Sequence, residues 1–169
     1  MTDTKGRPTV VIGLGNPLMG DDGLGLAAIA RLQEVWRLPD GVEVVDGGTW
    51  GMNLLPVIED AGRVLLIDAV ATGAAPGTLH LLERNRIPKY LATKISPHQV
   101  DLRDVLALAE LRGTLPEQTV AVGLEPAAVE LSNTLSDTLR VRLDDLVTAI
   151  VAQLARWGIP CTAVEPVHA

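Results

Sequence analysis

Apolar residues fall along this chain in two rhythms. Nearly continuous runs occupy residues 8–14, 63–70 and 119–124. Such runs, bounded by glycine, proline or charge, predict strands buried on both faces of a parallel sheet. Between them, spacings of three and four predict amphipathic helices. Residues 23–36 place Leu24, Ala28, Leu32 and Val35 on one face. The clearest face is Leu139, Leu143, Leu146, Ile150, Leu154 and Trp157, spaced by four, three, four, four and three. Ser136 or Asp137 caps that last helix, and Gly158 and Pro160 end it.

Weaker signals fill in the rest. Residues 42–45 read as a short strand, 51–60 as a short helix and 78–83 as an edge strand. Residues 100–111 read as a helix with Val105, Leu108 and Leu111 inward. Residues 71–77 and 125–136 are loops, and 87–97 are irregular because Pro88 and Pro97 break them. Strands alternating with helices predict an α/β protein, a three-layer α/β/α sandwich around a mostly parallel sheet. Right-handed crossovers with an order beginning 2-1-3 set the first and third strands side by side. With no repeat or linker, residues 1–169 are expected to form one domain, with a core over about 8–158 and a loose tail at 159–169.

Composition narrows the function classes. Phenylalanine is absent and Trp36, Trp50, Tyr90 and Trp157 are the aromatics, so the core must be aliphatic. A formal net charge of -7 argues against broad electrostatic binding to nucleic acid or an anionic membrane. Cys161 stands alone, which rules out an intrachain disulfide and fits a reducing compartment. The first residues, MTDTKGRPT, carry no apolar signal core, and no apolar run reaches membrane-spanning length. A soluble cytoplasmic protein is expected.

Candidate chemistry concentrates in VVIGLGNPLMGDDGLG at residues 10–25, a buried strand, a glycine-rich turn and the start of a helix. A turn of this shape usually offers backbone N–H groups to phosphate. Here Leu18 occupies the third glycine position of a dinucleotide fingerprint, Pro17 removes a donor, and Asp21 and Asp22 would repel a pyrophosphate. No P-loop lysine follows, no G-x-S-x-G elbow exists, and Cys161 is the lone thiol, in the tail.

Carboxylates and histidines remain. Asp22 suits a helix N-cap, with Asp21 as its competitor for any inward role. Asp68 is a lone charge near the end of a buried strand and must be hydrogen-bonded, paired or liganded. His98 sits in a loop behind Pro97, His80 lies within a strand and reads as structural, and His168 lies in the tail. Asp22, Asp68 and His98 together make an oxygen/oxygen/nitrogen set with open positions, suited to a borderline divalent metal such as nickel or zinc.

Two families share the GLGNP strand–turn. Peptidyl-tRNA hydrolase has it, but its Tyr and its Thr-Arg-His-Asn segment have no counterpart in LMGDDGLG. That reading keeps the fold and loses the esterase chemistry. The chain more closely resembles the nickel–iron hydrogenase maturation endopeptidases. The resemblance rests on four collinear blocks: GLGNPLMGDDGLG at 13–25, VDGGTWGMNLL at 45–55, LLIDAV at 65–70 and KISPHQVDLRDVL at 94–106.

The resemblance implies a twisted, mostly parallel five-stranded sheet, of phosphorylase/hydrolase-like type, with helices on both faces. It implies an endopeptidase that removes the C-terminal extension of a hydrogenase large-subunit precursor once nickel is inserted. The metal-binding and catalytic roles carry over to Asp22, Asp68 and His98, with Asp22 standing where some members have Glu. The nickel would belong to the precursor and not reside permanently on the protease. Asp46, Gly47, Gly48 and Thr49 match the family's DGGT block and fall near the implied substrate groove. The family is often filed with aspartic-type peptidases, but no paired Asp-Thr-Gly motifs support a pepsin-like dyad here. A monomer is expected. A non-cleaving nickel-binding checkpoint is the alternative from a different functional class.

Overall fold

The computed structural model describes residues 5–48, 50–87 and 102–165. Its central sheet has five strands: β1 (Thr9–Leu14), β3 (Val42–Gly48), β4 (Arg63–Ala69), β5 (Leu79–Glu83) and β6 (Thr119–Leu124). Their order is β3-β1-β4-β6-β5, parallel except for β5, which runs antiparallel to β6 at the edge. The 2-1-3 order and the edge strand expected from sequence are therefore present. β1 and β6 are buried throughout, and β4 in all but Arg63. Burial on both faces is why these runs lack polar alternation.

Each face of the sheet receives a helical layer. One face, with Val10, Ile12, Val64, Leu66 and Ala121, packs against Ile58 of α2 (Leu55–Asp60) and Val105, Leu106 and Ala109 of α3 (Leu102–Leu111). The other, with Val11, Leu65, Ile67 and Val122, packs against Leu24, Ala28 and Leu32 of α1 (Leu24–Val35). Leu139, Leu146, Ile150 and Leu154 of α4 (Asp137–Arg156) complete that layer. Ser136 is the α4 N-cap, its hydroxyl accepting the Leu139 N–H at 3.3 Å. The core is a three-layer α/β/α sandwich filled by aliphatic side chains.

Three expectations need correction. Leu111 is 85% exposed, because α3 ends there and turns Leu106 and Ala109 inward in its place. Trp36 is not helical. It leaves α1 in extended conformation and forms β2 (Trp36–Arg37).

That short strand also corrects the loose tail for residues 159–165; residues 166–169 lie outside the described residues. β2 pairs antiparallel with β7 (Thr162–Ala163), and the Val164 N–H donates to the Val35 carbonyl at 3.0 Å. Ile159 and Cys161 pack against the α1/α4 side of the core. Their apolar surface, brought round by the turn at Gly158, gives the segment something to bury. Among the described residues, no helix is long and apolar enough to cross a membrane.

Candidate functional site

The chain goes from β1 out to β3 and back across to β4, so its direction reverses between β1 and β4. Open α/β sheets bind ligands at such a switch point, beyond the carboxyl ends of the strands. The turn after β1 lies there. Gly15 has φ +116°, and a Cβ on it would stand 1.7 Å from the Asp22 carbonyl oxygen and 3.6 Å from Asp68 Oδ1. Only glycine lets the backbone pass between those two residues.

Asp22 and Asp68 therefore meet around Gly15–Asn16. Asp22 is half-buried, and its Oδ2 accepts the Asn16 N–H at 3.0 Å. Asp68 is 9% exposed near the end of β4, where Oδ1 accepts the Ala69 N–H at 2.8 Å. Burial pushes the Asp22 carboxyl above its ordinary range, against the opposing pull of the Asn16 N–H. A carboxylate short of solvent binds a proton or a cation more readily, since either relieves the desolvated charge. The N-cap role expected of Asp22 is not realised. It lies inside a 3-10 turn, Gly20–Gly23, with its side chain turned back to Asn16, and Gly23 is the α1 N-cap.

The competition between the paired aspartates is resolved by their partners. Asp21 is fully buried and accepts four hydrogen bonds. The Ala127 and Ala128 N–H groups reach it at 2.8 and 2.9 Å, and Ser136 at 2.7 Å through its N–H and 2.9 Å through its hydroxyl. Burial alone would raise its pKa, but these donors outweigh that and hold it below the usual carboxylate range. Asp21 is committed to the 126–136 loop, whereas the Asp22 side chain turns to Asn16 beside Gly15. The backbone that holds Asp21 is distant in sequence, not local.

The DGG segment runs alongside. Gly13 pairs with Asp46 and Leu14 with Gly48, the extra residue forming a bulge at Gly47. The Gly15 N–H donates to the Gly48 carbonyl at 3.2 Å. Gly47 is buried, while Asp46 is exposed at the rim. Thr49 and His98 lie outside the described residues. Among those described, no three His, Cys, Asp or Glu side chains form a metal-binding group, and the site's two described candidates are Asp22 and Asp68.

One charged network was not anticipated. Glu125 is 5% exposed directly after β6 and accepts the Thr72 and Gly73 N–H groups, each at 3.0 Å. The Thr72 hydroxyl donates to it at 3.0 Å, and His80 Nε2 lies 2.9 Å away. Burial would raise the Glu125 pKa, but the Thr72 N–H, His80 and the other donors hold it below the ordinary glutamate value. The rule that singled out Asp68, a charge closing a buried apolar run, applies equally to Glu125 after residues 119–124.

The family model described as hydrogenase maturation protease matches residues 26–153. The chain is 36% identical over 165 residues to the hydrogenase expression/formation protein HupM of Azotobacter chroococcum mcd 1, covering 96% of this chain and 79% of that one. It is 32% identical over 160 residues to the hydrogenase 2 maturation protease of Escherichia coli K12, covering 94% and 98%. Among solved structures, the hydrogenase maturating endopeptidase HybD of Escherichia coli superposes with a TM-score of 0.85 over 92% of this chain and 97% of that one, at 32% identity. The HycI maturation protease of Thermococcus kodakarensis KOD1 gives 0.67 over 89% and 94%, at 25% identity.

Proposed function

The chain belongs to the hydrogenase maturation protease family; from that premise we propose that it removes the C-terminal extension of a nickel–iron hydrogenase large-subunit precursor after nickel insertion. The observation that carries this reading is the convergence of Asp22 and Asp68 on Gly15–Asn16 while Asp21 is saturated by backbone donors. Two carboxylates approaching one turn, with His98 as the third ligand, suit recognition of a divalent nickel that arrives with the substrate. The metal is then a mark of a finished precursor, not a resident cofactor.

In the cleavage step, water adds to the scissile carbonyl carbon, the C–N bond breaks and the leaving amine takes a proton. A site carboxylate serves as general base, or the metal polarises the carbonyl. Either route is distinct from a pepsin-like pair of carboxylates, and the aspartic-type label follows only from the family's customary filing. Leu18 at 60%, Trp50 at 52% and Leu131 at 85% exposure stand on loops at this end of the sheet, which suits a protein substrate. A cytoplasmic location and a monomeric state are part of the same proposal.

The deciding experiment incubates the protein with nickel-loaded and apo precursor and reads both by mass spectrometry. Loss of a C-terminal peptide from the loaded form alone is the expected result. An unchanged mass with retained binding overturns cleavage in favour of a non-cleaving nickel checkpoint.

A further inference from the structure

We propose that Glu125 is a positioning residue for the site: its buried carboxylate latches the loop that follows β4 and so fixes Asp68. The inference rests on the reading of Asp68 as a nickel ligand, and it concerns residues that reading does not use.

The geometry runs from the sheet outward. Asp68 pairs with Gly123 and Ala69 with Leu124, and the Val70 N–H donates to the Leu124 carbonyl at 3.0 Å. Gly123 presses directly on Asp68, since a Cβ there would stand 1.9 Å from the Asp68 carbonyl oxygen. Beyond Val70 the ladder stops, and the Glu125 side chain takes its place. Its two oxygens hold Thr72 and Gly73 through backbone N–H groups and the Thr72 hydroxyl. Its own backbone closes the other end of the loop: the Gly77 N–H donates to its carbonyl at 2.8 Å, and its N–H donates to the Thr78 carbonyl at 2.9 Å.

His80 completes the latch from β5. It pairs with Gly123 in register, so Asp68, Gly123 and His80 form one row across the sheet. Its Nε2 lies within hydrogen-bond distance of Glu125 Oε2 and 3.4 Å from the Thr72 hydroxyl. Residues 71–77 are Ala, Thr, Gly, Ala, Ala, Pro and Gly, mostly exposed, with little apolar surface to hold them down. Charge-assisted hydrogen bonds to one buried carboxylate supply the rigidity that packing does not. Groups that orient a metal ligand typically change metal affinity or activity by about 10–100-fold when removed.

The test compares Glu125→Ala with Leu154→Ala, a core-cavity variant remote from the site, in the full-length protein. Nickel affinity of the precursor-free protein, kcat and KM for precursor cleavage, and amide exchange are measured. The expected result is a nickel affinity lowered about 10–100-fold, a matching fall in kcat/KM that includes a raised KM, and faster exchange confined to residues 69–73. His80→Gln, which keeps a side-chain N–H donor, restores what His80→Phe loses. Nickel affinity in Glu125→Ala no weaker than in Leu154→Ala overturns the proposal. Where Glu125→Ala fails to fold, the His80→Phe and His80→Gln pair decides by the same readouts. Failure of the wild-type protein to cleave nickel-loaded precursor instead sinks the functional reading, and exchange alone then decides: acceleration limited to 69–73 supports the latch, and unchanged exchange there overturns it.

Discussion

Asp21 and Ser136 are 115 residues apart and share two hydrogen bonds, the serine donating its N–H to Oδ1 and its hydroxyl to Oδ2. The same hydroxyl accepts the Leu139 N–H at the start of α4. One buried carboxylate thus ties the last helix to the turn that carries Asp22. Asp21 and Asp22 are neighbours in sequence with different surroundings: the first holds the scaffold, and the second is the one proposed to meet the metal.

Asp21→Asn should cost about 3 kcal/mol at neutral pH, because several donors to a buried anion are lost or mismatched. The pH dependence has a definite sign. The folded-state pKa of Asp21 is lowered from 3.8, so its contribution is present above that value and is lost as pH falls through the folded value. Thermal melts of wild type and variant should differ most above about pH 4 and converge below it. A gap that persists undiminished in acid contradicts this role.

Asp22→Asn should behave in the opposite way. Burial raises this carboxyl, so its ionised form costs stability above the folded pKa and nothing below the unfolded one. The variant should melt at or above the wild-type temperature at pH 7, since Asn still accepts the Asn16 N–H. Nickel affinity should nevertheless fall at least about tenfold, and precursor cleavage should be lost. Asp68→Asn and His98→Ala should share the functional loss. Unimpaired cleavage by His98→Ala removes that residue from the site.

Gly15→Ala should be among the most damaging single-methyl additions. It meets both a φ of +116° and the Asp22 carbonyl at 1.7 Å, so the turn must move apart. A loss of about 3 kcal/mol or more, together with lost cleavage, is expected in chemical denaturation and precursor assays. Gly41→Ala is the control, with φ +91° but nothing within 4 Å, and should cost about 1 kcal/mol while leaving cleavage intact.

Truncation after Pro160 removes β7 and the packing of Cys161. α1 starts at the carboxyl end of the sheet and leads away from it, so β2 and β7 lie far from the crevice. A drop of about 2–6 °C in Tm is expected from the loss of one or two kcal/mol. Nickel affinity and cleavage should be unchanged. A loss of nickel binding in this variant would show that the tail supports the site.

Much of this was legible in the chain because it is local. The runs at 119–124 and 63–70 announce buried strands, since a residue hidden on both faces of a sheet can hardly be polar. The spacing from Leu139 to Leu154 announces α4, because one face of a helix recurs at that interval. Gly15 followed by Asp22, with Asp68 closing another buried run, already suggested a cation site at the mouth of the sheet. Leu111 misled, because a periodic pattern does not say where a helix stops being covered.

Sequence alone determined the layers, the strand order around β1 and the candidate carboxylates, all of which depend on side-chain polarity at fixed short spacings. Tertiary structure decided which aspartate is spent and which is presented. It also brought out Glu125 as the latch beside Asp68, and it docked the segment after Pro160. The physical reason is common to all three. Their partners are mostly backbone N–H and carbonyl groups, for Asp21 as many as 115 residues away. Every residue but proline carries such an N–H donor, so residue type gives no sign of which ones a buried carboxylate will find until the chain is folded.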